Sequence, residues 1–91
     1  MPDYIRNVVV ATMDTGGISY SSDEYLAVGS TEQGARQLIA AEWFRRNGKE
    51  GLSRIGLDPG SEWAIARIAE ELNDWYGIRV TMLKVDSVVV G

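Results

Sequence analysis

Apolar residues in the second half of the chain change their spacing at residue 77, and this change predicts a helix followed by a strand. Over residues 58–76 they recur every three or four positions, as along one helix face: they are Ile65, Ile68, Ala69, Leu72, Trp75 and Tyr76. Asp58 can cap the first N–H groups, and Pro59 suits the first helical position. Gly77 is the residue type that commonly ends a helix. We therefore predict a helix over 58–76 with Trp75 and Tyr76 in the core.

After Gly77 the apolar spacing becomes two, which is the period of a strand with one face buried. The alternating sets are Ile78, Val80 and Met82 on one side and Arg79, Thr81 and Leu83 on the other. Residues 88–90, three consecutive valines, form either a final edge strand or a tail.

The first third of the chain has the composition of strands joined by turns. Residues 4–13 contain three consecutive valines, and β-branched residues favour strands. Residues 14–17, Asp-Thr-Gly-Gly, suit a turn because glycine accepts positive φ. We expect residues 18–21 to return as the second strand of a hairpin. Residues 25–28 are either a third strand or a continuation of the second past a bulge.

A first helix is predicted over residues 31–46. Ser30 and Gln33 have the spacing of a capping box, and Asn47-Gly48 suits the helix end. The inward stripe is Ala35, Leu38, Ile39 and Trp43. Leu52 and Ile55 are spaced to pack one short helical turn onto the core.

The predicted order is β-β-(β)-α-α-β in a single domain of residues 1–91. We expect an α+β fold: an antiparallel sheet, formed by the N-terminal hairpin or meander and the C-terminal strand, with two helices packed on one face. Ninety-one residues suit one compact core and are too few for two.

The chain contains no histidine and no cysteine. This composition removes the usual general base at neutral pH, the commonest transition-metal ligands and thiolate chemistry. The acidic residues lack the spacing of a calcium loop. We therefore expect neither enzymatic activity nor a bound metal or cofactor.

Charge and hydropathy bound the location and the partners. The net charge is −4, which disfavours direct nucleic-acid binding because that needs a cationic surface. The sequence shows neither a signal-peptide pattern nor an apolar run of the roughly 20 residues that span a membrane. We expect a soluble, cytoplasmic protein that binds other proteins, and a homodimer would add stability to so small a domain.

Two short resemblances to known families suggest alternative functions. Residues 8–16 resemble the Asp-Thr-Gly segment of retroviral-type aspartic proteases, which implies a dimeric, nearly all-strand enzyme with Asp14 as the catalytic residue. Residues 4–46 resemble the start of HicB-type antitoxins: a strand, an Asp-X-Gly-Gly turn, a second strand, and Gly-Ser-Thr opening a helix. The second resemblance implies an antitoxin that neutralises a basic toxin.

Some aromatic and cationic residues depart from the core pattern and are candidate partner contacts. On a helix over 58–76, Trp63 would lie on the polar side with Arg67, and Phe44 lies away from the first helix's apolar centre. Trp and Arg are enriched in binding hot spots. Arg45 and Arg46 form the only basic cluster, at a helix end. The candidates are therefore Trp63, Arg67, Phe44, Arg45, Arg46 and Arg54.

By elimination, we expect a small acidic protein-binding domain that modulates or inhibits a larger protein or protein complex. A phage or mobile-element accessory protein, such as an anti-defence inhibitor of the anti-CRISPR type, would fit the size and composition. The alternative is the antitoxin-like protein, and a third hypothesis is the dimeric aspartic protease.

Overall fold

A computed structural model describes residues 6–16 and 24–85 of the chain. The predicted returning strand at 18–21 and the predicted strand or tail at 88–90 lie outside these residues. Three strands, two α-helices and one 3-10 turn follow in order: β1 Arg6–Asp14, β2 Glu24–Gly29, α1 Glu32–Leu52, the turn Ser53–Ile55, α2 Ile65–Trp75 and β3 Arg79–Val85.

The strands form one antiparallel sheet in the order β2-β1-β3. The central strand pairs Val10 with Val28 of β2 on one side and with Thr81 of β3 on the other. The predicted α+β class, with an antiparallel sheet and two helices on one face, is confirmed.

The start of α1 differs from the predicted capping box by one residue. Thr31, and not Ser30, is the N-cap: its backbone is extended and its Oγ1 accepts the N–H of Gly34 at 2.9 Å. Gln33 therefore occupies the second helical position, whereas a capping box needs it at the third. The hydroxyl of Thr31 takes over the cap because it reaches the same free backbone donors.

The predicted end of the first helix is confirmed as a break at Gly48. This residue has φ +67° and ψ −168°, a conformation that is essentially restricted to glycine. Helical structure resumes after it and continues to Leu52. The change of direction lets Leu52 and Ile55 reach the core, where both side chains are buried, as their spacing predicts.

The predicted start of the second helix at Asp58 is wrong. The carboxylate of Asp58 accepts the N–H of Gly60 at 2.9 Å and the hydroxyl of Ser61 at 3.1 Å, so it closes a local turn. Asp favours such turns as much as helix caps, and glycine two residues later stabilises the turn and disfavours the helix. The helix begins only at Ile65, after Ala64 as its N-cap. Its predicted end is correct, because Gly77 has φ +83°.

The core lies between the sheet and α1. The α1 backbone packs closely on β1 and β2, whereas the α2 backbone closely approaches α1 and the 53–55 turn and none of the described strands. The largest fully buried side chains are Ile39, Leu52, Ile55, Ile68, Leu72 and Val9. This arrangement covers one face of the sheet and leaves β3 at the margin of the helical layer.

Two residues assigned to the core are exposed. Leu38 is 50% exposed, while Ala40 on the other side of Ile39 is fully buried. Trp75 is 57% exposed, because α2 packs chiefly against one helix and a narrow stripe around Ile68 and Leu72 fills that contact. The core assignments of Trp43 and Ile39 are confirmed, and Tyr76 is partly buried against the core.

Candidate partner-binding surface

Trp63 does not lie on a helix, because α2 starts two residues after it. Its indole Nε1 donates to the backbone oxygen of Asp58 at 2.9 Å, and its ring is half-buried against the core. The turn at Asp58 therefore fixes the orientation of Trp63. Its predicted place on the polar side of a helix beside Arg67 is wrong.

Trp63 and Phe44 line the same groove, so the structure brings two of the six predicted contacts together. The groove has a volume of about 280 Å³. Its other lining residues are Lys49, Leu52, Ser61, Glu62 and Ile68. Phe44, like Trp63, is half-buried and packs against the core. The groove has an apolar floor with one cation and one carboxylate at its margin, a combination suited to one apolar side chain of a partner.

Arg45 and Arg46 are both held by the carboxylate of Glu42. Arg45 Nε donates to Oε1 at 2.9 Å and Arg46 Nε donates to Oε2 at 2.8 Å. Hydrogen bonds from Arg45 and then Arg46 lower the pKa of Glu42 to about 2. The Arg46 guanidinium also lies 4.3 Å from the centroid of the Tyr25 ring, a cation–π geometry. These two arginines are part of the surface packing of α1.

The other two candidate arginines also contact their own chain. Arg67 forms ion pairs with Glu70 and Glu71 along α2. Arg54 Nη1 donates to Asn47 Oδ1 at 3.3 Å, across the break that Gly48 makes. All four arginines therefore have internal partners that a binding protein would have to replace, and such surface pairs contribute little energy individually.

A second apolar surface, which was not predicted from the sequence, lies on the face of the sheet opposite the helices. On β1, the buried residues Val9, Ala11 and Met13 point to the helices. Strand alternation therefore places the residues between them on the other side. We call this side the open face; its apolar and threonine positions are Val8, Val10, Thr12, Leu26, Val28, Thr81 and Leu83.

The open face is exposed at both of its margins. Leu26 is 70% exposed, Val28 54% and Leu83 47%. The register places Val10 between Val28 and Thr81, and Val8 beside Leu83, so the apolar side chains are contiguous across all three strands. An antiparallel sheet with one solvated face normally carries polar residues there. Contiguous apolar exposure of this kind marks interaction sites.

The sequence did contain a signal for this surface. Residues 8–11 and 25–28 are uninterrupted apolar runs, which are typical of strands covered on both faces. Because both helices are predicted to pack on one face of the sheet, these apolar runs indicate that the other face is apolar and exposed. The predicted alternation of β3 is likewise incomplete, because Met82 and Leu83 are both exposed on opposite faces.

Polar groups frame one end of the open face. Asp14 and Glu24 are opposite each other in the β1–β2 register, and Arg79 lies beside Thr12 one step further in. Together with Tyr25 and other neighbours they line a cleft of about 530 Å³. Asp14 Oδ1 accepts the N–H of Gly16 at 2.7 Å, the local contact expected of a turn. The all-strand fold implied by the protease resemblance is not the fold of this chain, whose described residues include two α-helices.

Residues 6–16 and 24–85 contain no group of three or more His, Cys, Asp or Glu side chains that could hold a metal ion. Within the same residues, neither helix has the length and apolar character that crossing a membrane requires. Comparisons of the chain with models of known protein families, with curated proteins and with solved structures find no match.

Proposed function

We propose that this chain is a non-enzymatic protein-binding domain that modulates or inhibits a larger protein, and that the open face is its main contact surface. The observation that carries the proposal is the contiguous apolar exposure of Leu26, Val28 and Leu83 around Val10. An exposed apolar surface of this kind lowers the solubility of a monomeric domain, and it contributes to binding only when a partner covers it.

The open face has enough apolar area to anchor a partner. Complete burial of a valine or leucine side chain contributes about 1.5–3 kcal/mol. Leu26, Val28 and Leu83 are each about half exposed or more, so a partner that covers them gains several kcal/mol before the cost of association. Strand pairing fixes the backbone at all three positions, which reduces the ordering cost of binding.

The open face is a stronger candidate than the groove between Phe44 and Trp63. Both aromatic side chains are already half-buried, and the indole N–H of Trp63 is already bonded to Asp58. A partner would therefore gain less new apolar burial in the groove. The groove lies in the helical layer, so it serves best as a second contact for a partner that reaches around the domain.

The charges beside the open face favour a partner with cationic residues at one end of its contact surface. Asp14 and Glu24 are exposed at that end, next to Leu26, and together they outnumber the cation Arg79 beside them. Charges at the rim of an interface set orientation and association rate more than affinity. A defence complex that binds nucleic acid has such a cationic surface, so the arrangement suits an inhibitor of that complex. It equally suits the alternative, an antitoxin-like protein that binds a basic toxin.

Capture from the native host tests the proposal. Tagged wild-type protein is compared with Leu26→Glu, on the open face. The matched control is Leu38→Glu, the same substitution at an exposed leucine on α1. We expect a partner, identified by mass spectrometry, to be retained by wild type and Leu38→Glu and reduced at least about tenfold by Leu26→Glu. A partner retained equally by all three proteins would show that the open face is not its contact surface. A basic toxin would favour the antitoxin-like alternative.

A further inference from the structure

The two outer strands of the sheet differ in how open their edges are. At the end of β2, α1 packs directly on the backbone: a Cβ added to Gly29 would lie 3.1 Å from the backbone nitrogen of Ala35. Among the described residues, α1 approaches β3 only marginally. Met82, which faces the helical side, is 61% exposed, and Leu83 on the open face is also exposed. Both sides of β3 are therefore accessible near its middle.

The edge of β3 is straight and continuous. Its seven residues pair with β1 from Arg79↔Thr12 to Val85↔Arg6 with no skipped position, so this pairing contains no bulge. The strand also lacks proline and glycine. Within residues 6–16 and 24–85, no strand pairs with its outer edge. Natural sheets usually protect long edges with bulges, prolines, charged side chains or covering loops, because an open edge offers backbone donors and acceptors to another strand. The charged residues of β3, Arg79 and Lys84, lie toward its two ends and leave its middle uncharged.

We propose that a second copy of this chain pairs antiparallel with β3, forming a continuous six-stranded sheet in the order β2-β1-β3-β3-β1-β2. The proposal rests on the edge of the sheet and is independent of the partner proposed for the open face. A strand that pairs antiparallel with its own copy forms an isologous two-fold contact, the commonest symmetry of soluble oligomers. Each copy then supplies the strand that the other lacks.

The sequence of β3 is compatible with its own reversal. With Met82 on the two-fold axis, Thr81 lies opposite Leu83 of the second copy, and Val80 lies opposite Lys84. Arg79 then lies opposite Val85, so no two like charges face each other directly across the new pair. Directly opposed like charges are the arrangement that destabilises strand pairing.

The pairing also covers Met82, whose side chain is exposed in a single copy. The α1 backbone lies mainly over β1 and β2, so the helical layer ends before Met82. The two-fold axis is perpendicular to the sheet and places both helical layers on one side, which brings the two Met82 side chains together between them. Both open faces then lie on the opposite side and form one surface of double width.

Charge changes at Met82 test the pairing and its register together. We expect the wild-type protein to sediment at twice the chain mass of 10.0 kDa at micromolar concentrations. Met82→Lys and Met82→Glu should each sediment as a monomer, with the dimer dissociation constant raised at least about tenfold by opposed like charges. Mixing these two variants should restore the dimer as a heterodimer. Leu26→Lys, which changes the open face and not this edge, should remain dimeric.

Cysteine cross-linking provides a second measurement, because the chain has no cysteine of its own. Directly opposed strand residues have Cβ atoms about 4.5–5.5 Å apart, close enough for a disulfide after small adjustments. Met82→Cys should therefore form a covalent dimer under mild oxidation at least about tenfold faster than Leu26→Cys. A monomeric wild-type protein at 100-micromolar concentration, or a dimer lost with Leu26→Lys and kept with Met82→Lys, would overturn the proposal.

Discussion

Val9 and Val10 are adjacent residues of the same type on the same strand, and the fold gives them opposite environments. Val9 is fully buried beneath the helical layer, whereas Val10 lies at the centre of the open face. Their β2 neighbours differ in the same way: Ala27, which faces the helices, is partly buried against the core, and Leu26 is the most exposed large apolar residue of the described chain. Both faces of the sheet are apolar, and the described helices cover one of them.

The difference between the two faces separates stability from binding. Side chains on the covered face contribute to the free energy of unfolding of the isolated domain. Side chains on the open face contribute little to it until a partner covers them. Substitutions at matched positions on the two sides of the structure measure this difference directly.

The largest effect is expected in the helical layer above the covered face. Ile39 is 1% exposed, so Ile39→Ala removes buried methyl groups and should cost about 2–5 kcal/mol of unfolding free energy. Leu38→Ala, on the neighbouring residue, should cost no more than about 0.5 kcal/mol because Leu38 is exposed. Urea denaturation of both variants gives the two values. Equal losses would mean that Leu38 belongs to the core after all.

The valine pair on β1 gives the most direct comparison of the two faces. Val9→Thr places a hydroxyl of nearly the same size in the core and should cost about 1–3 kcal/mol. Val10→Thr should cost less than about 0.5 kcal/mol in the isolated domain, because its hydroxyl remains accessible to water. Chemical denaturation again provides the measurement. A loss at Val10 as large as that at Val9 would indicate that the open face is covered in the isolated protein.

Much of the fold could be predicted because its local signals agree with its packing. The break at Gly48, the helix end at Gly77 and the burial of Leu52 and Ile55 each follow from residue type and spacing. The helix starts were harder. Ser30 and Thr31 offer equivalent hydroxyls one residue apart, and the carboxylate of Asp58 stabilises a turn as readily as a helix. Local sequence does not decide between such alternatives.

The open face could not be assigned from spacing alone because its exposure depends on where the helices pack. Residues 25–28 have the apolar run of a strand covered on both sides, and the sequence does not show which side remains bare. The positions of the two aromatic candidates were predicted only in part. Phe44 and Trp63 do meet in one groove, but Trp63 reaches it through the turn at Asp58 and not from a helix.

An intermediate effect is expected for Trp63, whose side chain is neither fully buried nor fully exposed. Trp63→Ala removes a half-buried ring and a hydrogen bond to Asp58, and should cost about 1–2 kcal/mol, less than the 3–5 kcal/mol typical of a fully buried tryptophan. Trp75→Ala is the matched control and should cost about 0.5 kcal/mol, since its ring is mostly exposed. The unfolding midpoints of the two variants test this order. The reverse order would indicate that Trp63 contributes little to folding and remains a candidate partner contact.

The smallest effect concerns the arginines on α1 and whether they are committed to their own chain. Because Arg45 and Arg46 hold the carboxylate of Glu42, its pKa is lowered from 4.5 to about 2 in the folded protein. A depressed carboxylate pKa contributes stability that is present above pH 4.5 and is lost as the pH falls toward 2. The effect on stability is small because this cluster lies on the helix surface, where solvent screens it.

Titration of the Glu42 carboxyl by NMR should therefore have its midpoint near pH 2 in the wild-type protein. In the double variant Arg45→Gln, Arg46→Gln, the midpoint should return toward the ordinary value of 4.5, since the hydrogen bonds that stabilise the carboxylate are gone. Glu42→Gln should correspondingly reduce the acid dependence of unfolding between these two pH values. A wild-type midpoint near 4.5 would show that the arginines are not held by Glu42, and they would then rival the open face as partner contacts.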